Sequence, residues 1–307
     1  MPTAFLTHPL FERHEVPDGH PERAQRLPAI RDELITQGIY DLLRVTEAPA
    51  APYDALCRVH APGYVSMLEH IDIGEGMVAI DADTFIGPHS IVAARHAAGA
   101  AIEATDLVIA GDVRSAFCCV RPPGHHAEPD RTMGFCLFNN VAVGAMQALE
   151  QHGLQRVAIL DFDVHHGNGT EDIFAGDERV LFCSSFQHPF YPYGDPAPRG
   201  TNVVKLPLPA GCDGRRFREE ISNEWAPAVD RFAPEMIFVS AGFDGHAEDD
   251  MAGLLLVDDD YRWISDWIVE RAETHAKGRI VSCLEGGYAL PALARCAVLH
   301  IRALAGI

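Results

Sequence analysis

Six short apolar runs recur along the chain: TAFLTH (3–8), SAFCCV (115–120), RVAILDFDV (156–164), RVLFCSS (179–185), EMIFVSAGFD (235–244) and RIVSCLEGGY (279–288). They read as buried strands. Between them lie helix-like segments near 89–105, 139–152, 215–231, 258–276 and 291–305. Continuous apolar strands alternating with helices predict an α/β fold, with a mostly parallel central sheet and helices on both faces. No internal repeat or linker-like run breaks the pattern, so a single domain is expected over 1–307.

The polar residues that follow these runs carry the chemistry. RPPGHH follows 115–120, DFDVHHGNG closes 156–164, SSFQHPFYP follows 179–185, GFDGH ends 235–244 and EGGY ends 279–288. Ligand crevices of open parallel sheets form at the carboxyl edge of the strands, where these residues are released. Asp161, Asp163 and His165 are spaced i, i+2, i+4, which on a strand points them to one face. Buried carboxylates need neutralisation, and a divalent cation held by Asp163, His165 and Asp244 would supply it. Three such ligands leave a position for water, as a catalytic zinc site requires. The alternative is that the aspartates cap the next turn or pair with arginines.

Composition narrows the partners. The formal charge of −20 and the absence of a basic patch or tail count against nucleic acid. An acidic surface attracts cationic substrates such as basic peptides or polyamines. No apolar stretch reaches the 18 residues or more expected of a membrane span, and the first residues do not read as a signal peptide. Eight scattered cysteines without a CxxC pair suit a reduced cytoplasm.

RPPGHH, DFDVHHGNGT, SAGFD and EGGY, in this order, resemble the histone deacetylase family in its broad sense, which includes bacterial acetylpolyamine amidohydrolases. The similarity runs from HPERAQRL (20–27) to GGY (286–288). It implies the arginase–deacetylase fold and zinc-dependent hydrolysis of an N-acetyl amide. The resemblance makes Asp163, His165 and Asp244 the ligands of one zinc ion per chain. His125 and His126 become the pair beside the reacting water, with Asp161 behind His125 and Asn168 behind His126. Tyr288 becomes the hydroxyl on the substrate carbonyl, brought inward by Gly286 and Gly287. Gly134, Phe135 and Tyr191 would form the acyl tunnel, although the second wall is commonly phenylalanine. A potassium ion beneath the zinc would use Asp161 and Ser184.

With an amide rather than a carboxylate behind it, His126 is the expected base, and His125 is expected to stay charged. Arginase-like enzymes use two manganese ions, but the position of their second-metal aspartate is Gly167 here. A non-catalytic acetyl-ligand binding module would be expected to lack the tyrosine, a ligand or the histidine pair. Polyamine-selective members carry an acidic gatekeeper where this chain has Met251. Glu248, Asp249 and Asp250 are close enough in sequence to substitute for it, and Asp83 is either a rim contact or a capping residue. The expected substrate is therefore a peptide or small-molecule N-acetyl amine. Arg23 is expected along an inner channel, His8 and His14 at the rim, and His246 in a loop. The sequence leaves a homo-oligomer open.

Overall fold

The computed structural model describes residues 1–74 and 76–307. Eight parallel strands form one sheet: β1 (Ala4–Thr7), β2 (Arg44–Glu47), β5 (Ser115–Cys118), β6 (Val157–Asp161), β7 (Val180–Gln187), β8 (Val203–Leu208), β9 (Met236–Ala241) and β10 (Ile280–Leu284). A separate two-stranded hairpin supplies β3 (Val78–Ala79) and β4 (Phe85–Ile86). The sheet order is β2-β1-β5-β10-β9-β6-β7-β8. Every residue of β5, β6, β9 and β10 is buried, which explains why their sequences are continuously apolar rather than alternating. The five strands expected to release polar residues are contiguous in the sheet, in the order β5-β10-β9-β6-β7.

Helices cover the sheet. The longest, Ser90–Ala110, is alanine-rich on its buried side and ends at Gly111 in the left-handed conformation, a position that glycine adopts at little cost. Asp258–His275 begins with three aspartates in its first turn, which complement the positive end of the helix dipole. Leu290–Ala305 packs against it. The expected helices at 139–152 and 215–231 each contain a wider turn, at Gln147–Gln151 and Ile221–Trp225.

Several elements depart from the sequence reading. β2 and β8 were not expected: β2 is a mostly exposed edge with one apolar residue in RVTE, and β8 carries Lys205 and Pro207. Pro is tolerated at such an edge. The helices Arg26–Thr36, Pro62–His70 and Asn168–Phe174 were also missed. β6 stops at Asp161, so Asp163 and His165 stand on the following loop rather than on the strand. Their convergence comes from backbone hydrogen bonds, not from strand periodicity.

A buried ionic knot ties the N-terminal segment to the sheet. Glu22, Arg26 and Arg121 have fully buried side chains. Glu22 receives Arg26 Nη1 at 3.0 Å and Arg121 Nε at 2.6 Å. Arg26 also donates to the carbonyls of Glu285 and Gly287. Arg26, not Arg23, is thus the inward arginine, and Arg23 is exposed. His14 is likewise inside rather than at the rim, bonded to Ser90 Oγ at 2.8 Å.

Burial raises the Glu22 pKa, but the charges of Arg121 and then Arg26 outweigh it and hold the group down at about 2, from an ordinary 4.5. Because the folded value is depressed, the stabilisation is present above pH 4.5 and is lost as pH falls towards 2. Glu22→Gln is expected to cost about 3–5 kcal/mol near neutral pH by leaving two buried arginines undercompensated. Urea unfolding of both proteins between pH 6 and pH 2.5 checks this. The gap should narrow towards the acid end, and a pH-independent gap would exclude the charge explanation.

Candidate active site

The residues released by the five central strands meet in one place. Asp163, His165 and Asp244 are buried, with one ligand atom from each lying within 4.8 Å of the others. His165 Nδ1 is 3.1 Å from Asp163 Oδ1 and 3.2 Å from Asp244 Oδ2. Backbone amides fix the carboxylates: Gly286 N donates to Asp163 Oδ2 at 2.8 Å, and Val164 N to Asp244 Oδ1 at 3.0 Å. Asp244 Oδ2 is buried and accepts no hydrogen bond. A Cβ on Gly286 would collide with that oxygen, and one on Gly242 with Asp163 Oδ2. The two glycines therefore make room for carboxylates that converge on a common point.

This donor set fits a divalent metal ion. Burial raises the Asp244 pKa, and the charge of Asp163 pushes it further, to about 6. Burial pulls His165 down, yet its hydrogen bond to Asp163 and the neighbouring carboxylate of Asp244 raise it to about 9. A proton trapped among two carboxylates and an imidazole stands where a cation would, and metal binding would release it. A second acidic cluster, His246, Asp258 and Cys296, is different. His246 Nδ1 accepts the Glu248 amide while Nε2 meets Asp258, and Arg295 already neutralises Asp258. That cluster is satisfied, and His246 remains a loop residue.

The two adjacent histidines lie with ring centroids 4.0 Å apart. His125 Nδ1 meets Asp161 Oδ2 at 2.9 Å. Burial lowers its pKa, but Asp161, Asp163 and Glu285 together raise it well above the usual value. His126 Nδ1 meets Asn168 Oδ1 at 2.7 Å. The orientation of that amide is fixed, because Asn168 Nδ2 donates to the Glu128 carboxylate at 2.8 Å, and a carboxylate can only accept. Asn168 Oδ1 must therefore accept from His126 Nδ1–H, which leaves Nε2 as the free lone pair. Burial and the neighbouring charges of His125 and His165 hold the His126 pKa well below its usual value.

Above these groups is a cavity of about 270 Å³ lined by Asp83, His125, His126, Gly134, Phe135, His165, Phe190, Tyr191, Met251 and Tyr288, among others. Phe135 faces Tyr288 edge-on at 6.2 Å, and Tyr191 faces His126 edge-on at 5.3 Å. Phe135 holds φ 68, a strained value for an aromatic residue. Its amide is held by Thr84 Oγ1 at 3.1 Å. Burial and the charge of Asp244 push the Tyr288 hydroxyl well above the usual phenol range, so it stays protonated and able to donate.

Other site residues were not read from sequence. Glu285 lies inside the EGGY motif but had no expected role. It accepts the Gly124 and His125 amides, at 2.7 and 3.1 Å, and so fixes the histidine loop. Asp249 is not a free gatekeeper: its Oδ2 accepts the Tyr288 amide at 2.6 Å and its Oδ1 the Met251 amide. Glu248 pairs with Arg295. The turn at 81–84 is capped by Asp81, whose Oδ1 accepts the amides of Asp83 and Thr84, while Asp83 faces the cavity. Phe190, stacked on His165 at 5.3 Å, is a further wall.

A parallel sheet with carboxylates, paired histidines and a phenol at one end of an apolar cavity is the arrangement of a hydrolytic enzyme. The chain belongs to the histone deacetylase domain family, whose model matches residues 20–304. It is 38% identical over 298 residues to the Archaeoglobus fulgidus protein named Probable deacetylase, covering 94% of this chain and 82% of that one. It is 37% identical over 298 residues to the Histone deacetylase-like amidohydrolase of Pseudomonas aeruginosa, covering 94% and 78%. Among solved structures, the HDA15 HD domain superposes with a TM-score of 0.92 at 31% identity, covering 99% of this chain and 88% of that one. The fold is therefore the arginase–deacetylase fold, and the protein is a deacetylase.

If the three ligands hold a divalent ion, saturation at about 100 times its Kd stabilises the fold by about 2.7 kcal/mol. Thermal unfolding of chelator-treated protein, with and without added zinc, should show this gain. Asp244→Asn should abolish it. An equal gain in the variant would move the ion elsewhere.

Proposed function

We propose that the enzyme hydrolyses the acetyl or related small acyl group of an N-acylated primary amine, of which acetyl-lysine is the model, with one zinc ion held by Asp163, His165 and Asp244. The observation that carries this reading is geometric: His126, held at Nδ1 by Asn168 with Nε2 left free, and Tyr288 line the same cavity. When bound, zinc supplies a Lewis acid that polarises the amide and acidifies water.

The chain's own groups then divide the work. His126 Nε2 takes a proton from the attacking water, which bonds to the acyl carbon. Tyr288 donates its hydroxyl hydrogen to the carbonyl oxygen as negative charge gathers there. His125, kept charged by Asp161, stabilises that charge electrostatically. His126 returns the proton to the amine nitrogen as the C–N bond breaks, and acetate and the free amine leave. Phe135, Tyr191, Gly134 and Met251 would enclose an aliphatic stem and exclude water. Asp83, beside the Tyr191 hydroxyl at the same cavity, favours a cationic group on the substrate, so an acetylated polyamine is the second substrate reading. Asp161 and Ser184 are register partners on β6 and β7 and support a potassium ion beside the site. A cytoplasmic setting and action without nucleic acid or membrane complete the proposal.

Acetate release from acetyl-lysine peptides, free acetyl-lysine, acetylated polyamines and simple acetylated amines tests it. Tyr288→Phe should lower kcat by about 10²–10³-fold, and His126→Ala by about 10²–10⁴-fold. Turnover that survives both substitutions would overturn the mechanism. A zinc-loaded protein that turns over none of the panel would favour an acetyl-ligand binding module.

A further inference from the structure

β7 and β8 are adjacent and parallel, yet the chain between them, 188–202, contains no helix. Crossovers of this kind usually run through one. This segment carries two walls of the cavity, Phe190 and Tyr191, and then runs exposed from Tyr193 to Arg199. An irregular, solvated stretch is a poor support for an aromatic wall that touches His126 and His165.

The support comes from a buried ion pair. Lys205 and Glu171 have side-chain exposures of 3% and 4%, with Nζ to Oε2 at 2.9 Å. Lys205 Nζ also donates to the Asp195 carbonyl at 2.7 Å, and Glu171 Oε1 accepts the Arg199 amide at 3.0 Å. Among the described residues, these are the backbone hydrogen bonds that tether 189–199 to other parts of the chain. The same Glu171 Oε2 lies 2.8 Å from Nε2 of His166, the residue after His165. One ion pair thus joins the wall-bearing crossover to the segment that bears a metal ligand.

We infer that Lys205 and Glu171 are positioning residues that set the place of the Tyr191 wall, and so the size of acyl group the cavity accepts. The inference rests on the deacylase reading above, in which that wall encloses the acyl chain. Neither residue reaches the cavity, so their effect passes through the crossover. Loosening it should weaken the fit of a small acyl group more than that of a larger one, which fills the widened space itself.

Two variants test this. Lys205→Met removes the ammonium and leaves Glu171 with fewer partners. Arg199→Pro removes the tethering N–H and leaves the ion pair intact, with Arg199→Ala as the control that keeps it. Kinetics would be measured on acetyl-, butyryl- and hexanoyl-lysine peptides, and amide hydrogen exchange followed over 189–199. In Arg199→Pro and Lys205→Met, KM for the acetyl peptide should rise about tenfold with kcat within about twofold, and the preference should shift towards the longer acyl groups by about tenfold. Exchange at 189–199 should accelerate, and Arg199→Ala should match the wild type in all three readouts. Should Lys205→Met fail to fold, Arg199→Pro decides alone. Unchanged KM and acyl preference, or an equal loss in kcat for every acyl length, would overturn the inference. If the wild type hydrolyses no acyl peptide, the functional reading fails and the selectivity claim with it, whereas faster exchange in Arg199→Pro would still establish the clamp.

Discussion

The molecule is organised around the cost of holding four buried acids in one small region. Asp161, Asp163, Asp244 and Glu285 are each at most 1% exposed. Isolated carboxylates in such surroundings cost several kcal/mol each unless charge or hydrogen bonds compensate them. Compensation comes from every side: His125 and His165 supply positive charge, and the amides of Asp163, Val164, Gly286, Gly124 and His125 supply donors. Asp244 Oδ2 is the atom that this arrangement leaves without a donor. The imbalance defines the place of a cation more sharply than the ligand residues alone, because it says which oxygen still needs one.

The same economy separates the two histidines. They are neighbours in sequence with ring centroids 4.0 Å apart, so two charges there would repel strongly. A carboxylate behind one ring and an amide behind the other settles which is charged. His125 gains from Asp161, while His126 faces the amide oxygen of Asn168 and the positive field of its neighbour. Opposed environments on paired titratable groups point to different acid and base roles, and in the proposed mechanism that assignment follows from one difference between Asp and Asn.

The chemical side of this arrangement was legible in the sequence because it sits in short motifs at strand ends. The fully buried strands were legible as well, since burial on both faces makes them apolar along most of their length. The sheet edges were not. β2 and β8 carry polar and proline residues at an edge, and their pairing depends on neighbours that sequence does not reveal. The roles of Arg26 and Asp249 were not legible for another reason. Their roles are bonds to carbonyls and amides of the segment at 285–289, remote in sequence, and no local pattern marks an arginine or aspartate as inward. The misplacement of the inward role on Arg23 shows the limit: a motif locates a segment, while helix phase decides which side chain enters the core.

On the proposed function, chemistry and selectivity are carried by different parts of the fold. Asp163, His165 and Asp244 follow closely on β6 and β9, and the histidine pair stands on a loop fixed by Glu285. Asp83, Phe135 and Tyr191 stand instead on three connections that lack helix where they line the cavity. Loops tolerate change far better than the strands that carry them. The reacting groups are thus constrained by the whole sheet, and the walls only by local devices such as Thr84 beneath Phe135 and the Lys205–Glu171 pair beside the crossover. On the proposed reading, altering one of those devices shifts a wall without disturbing the buried acids, so acyl preference changes while the hydrolytic centre stays intact.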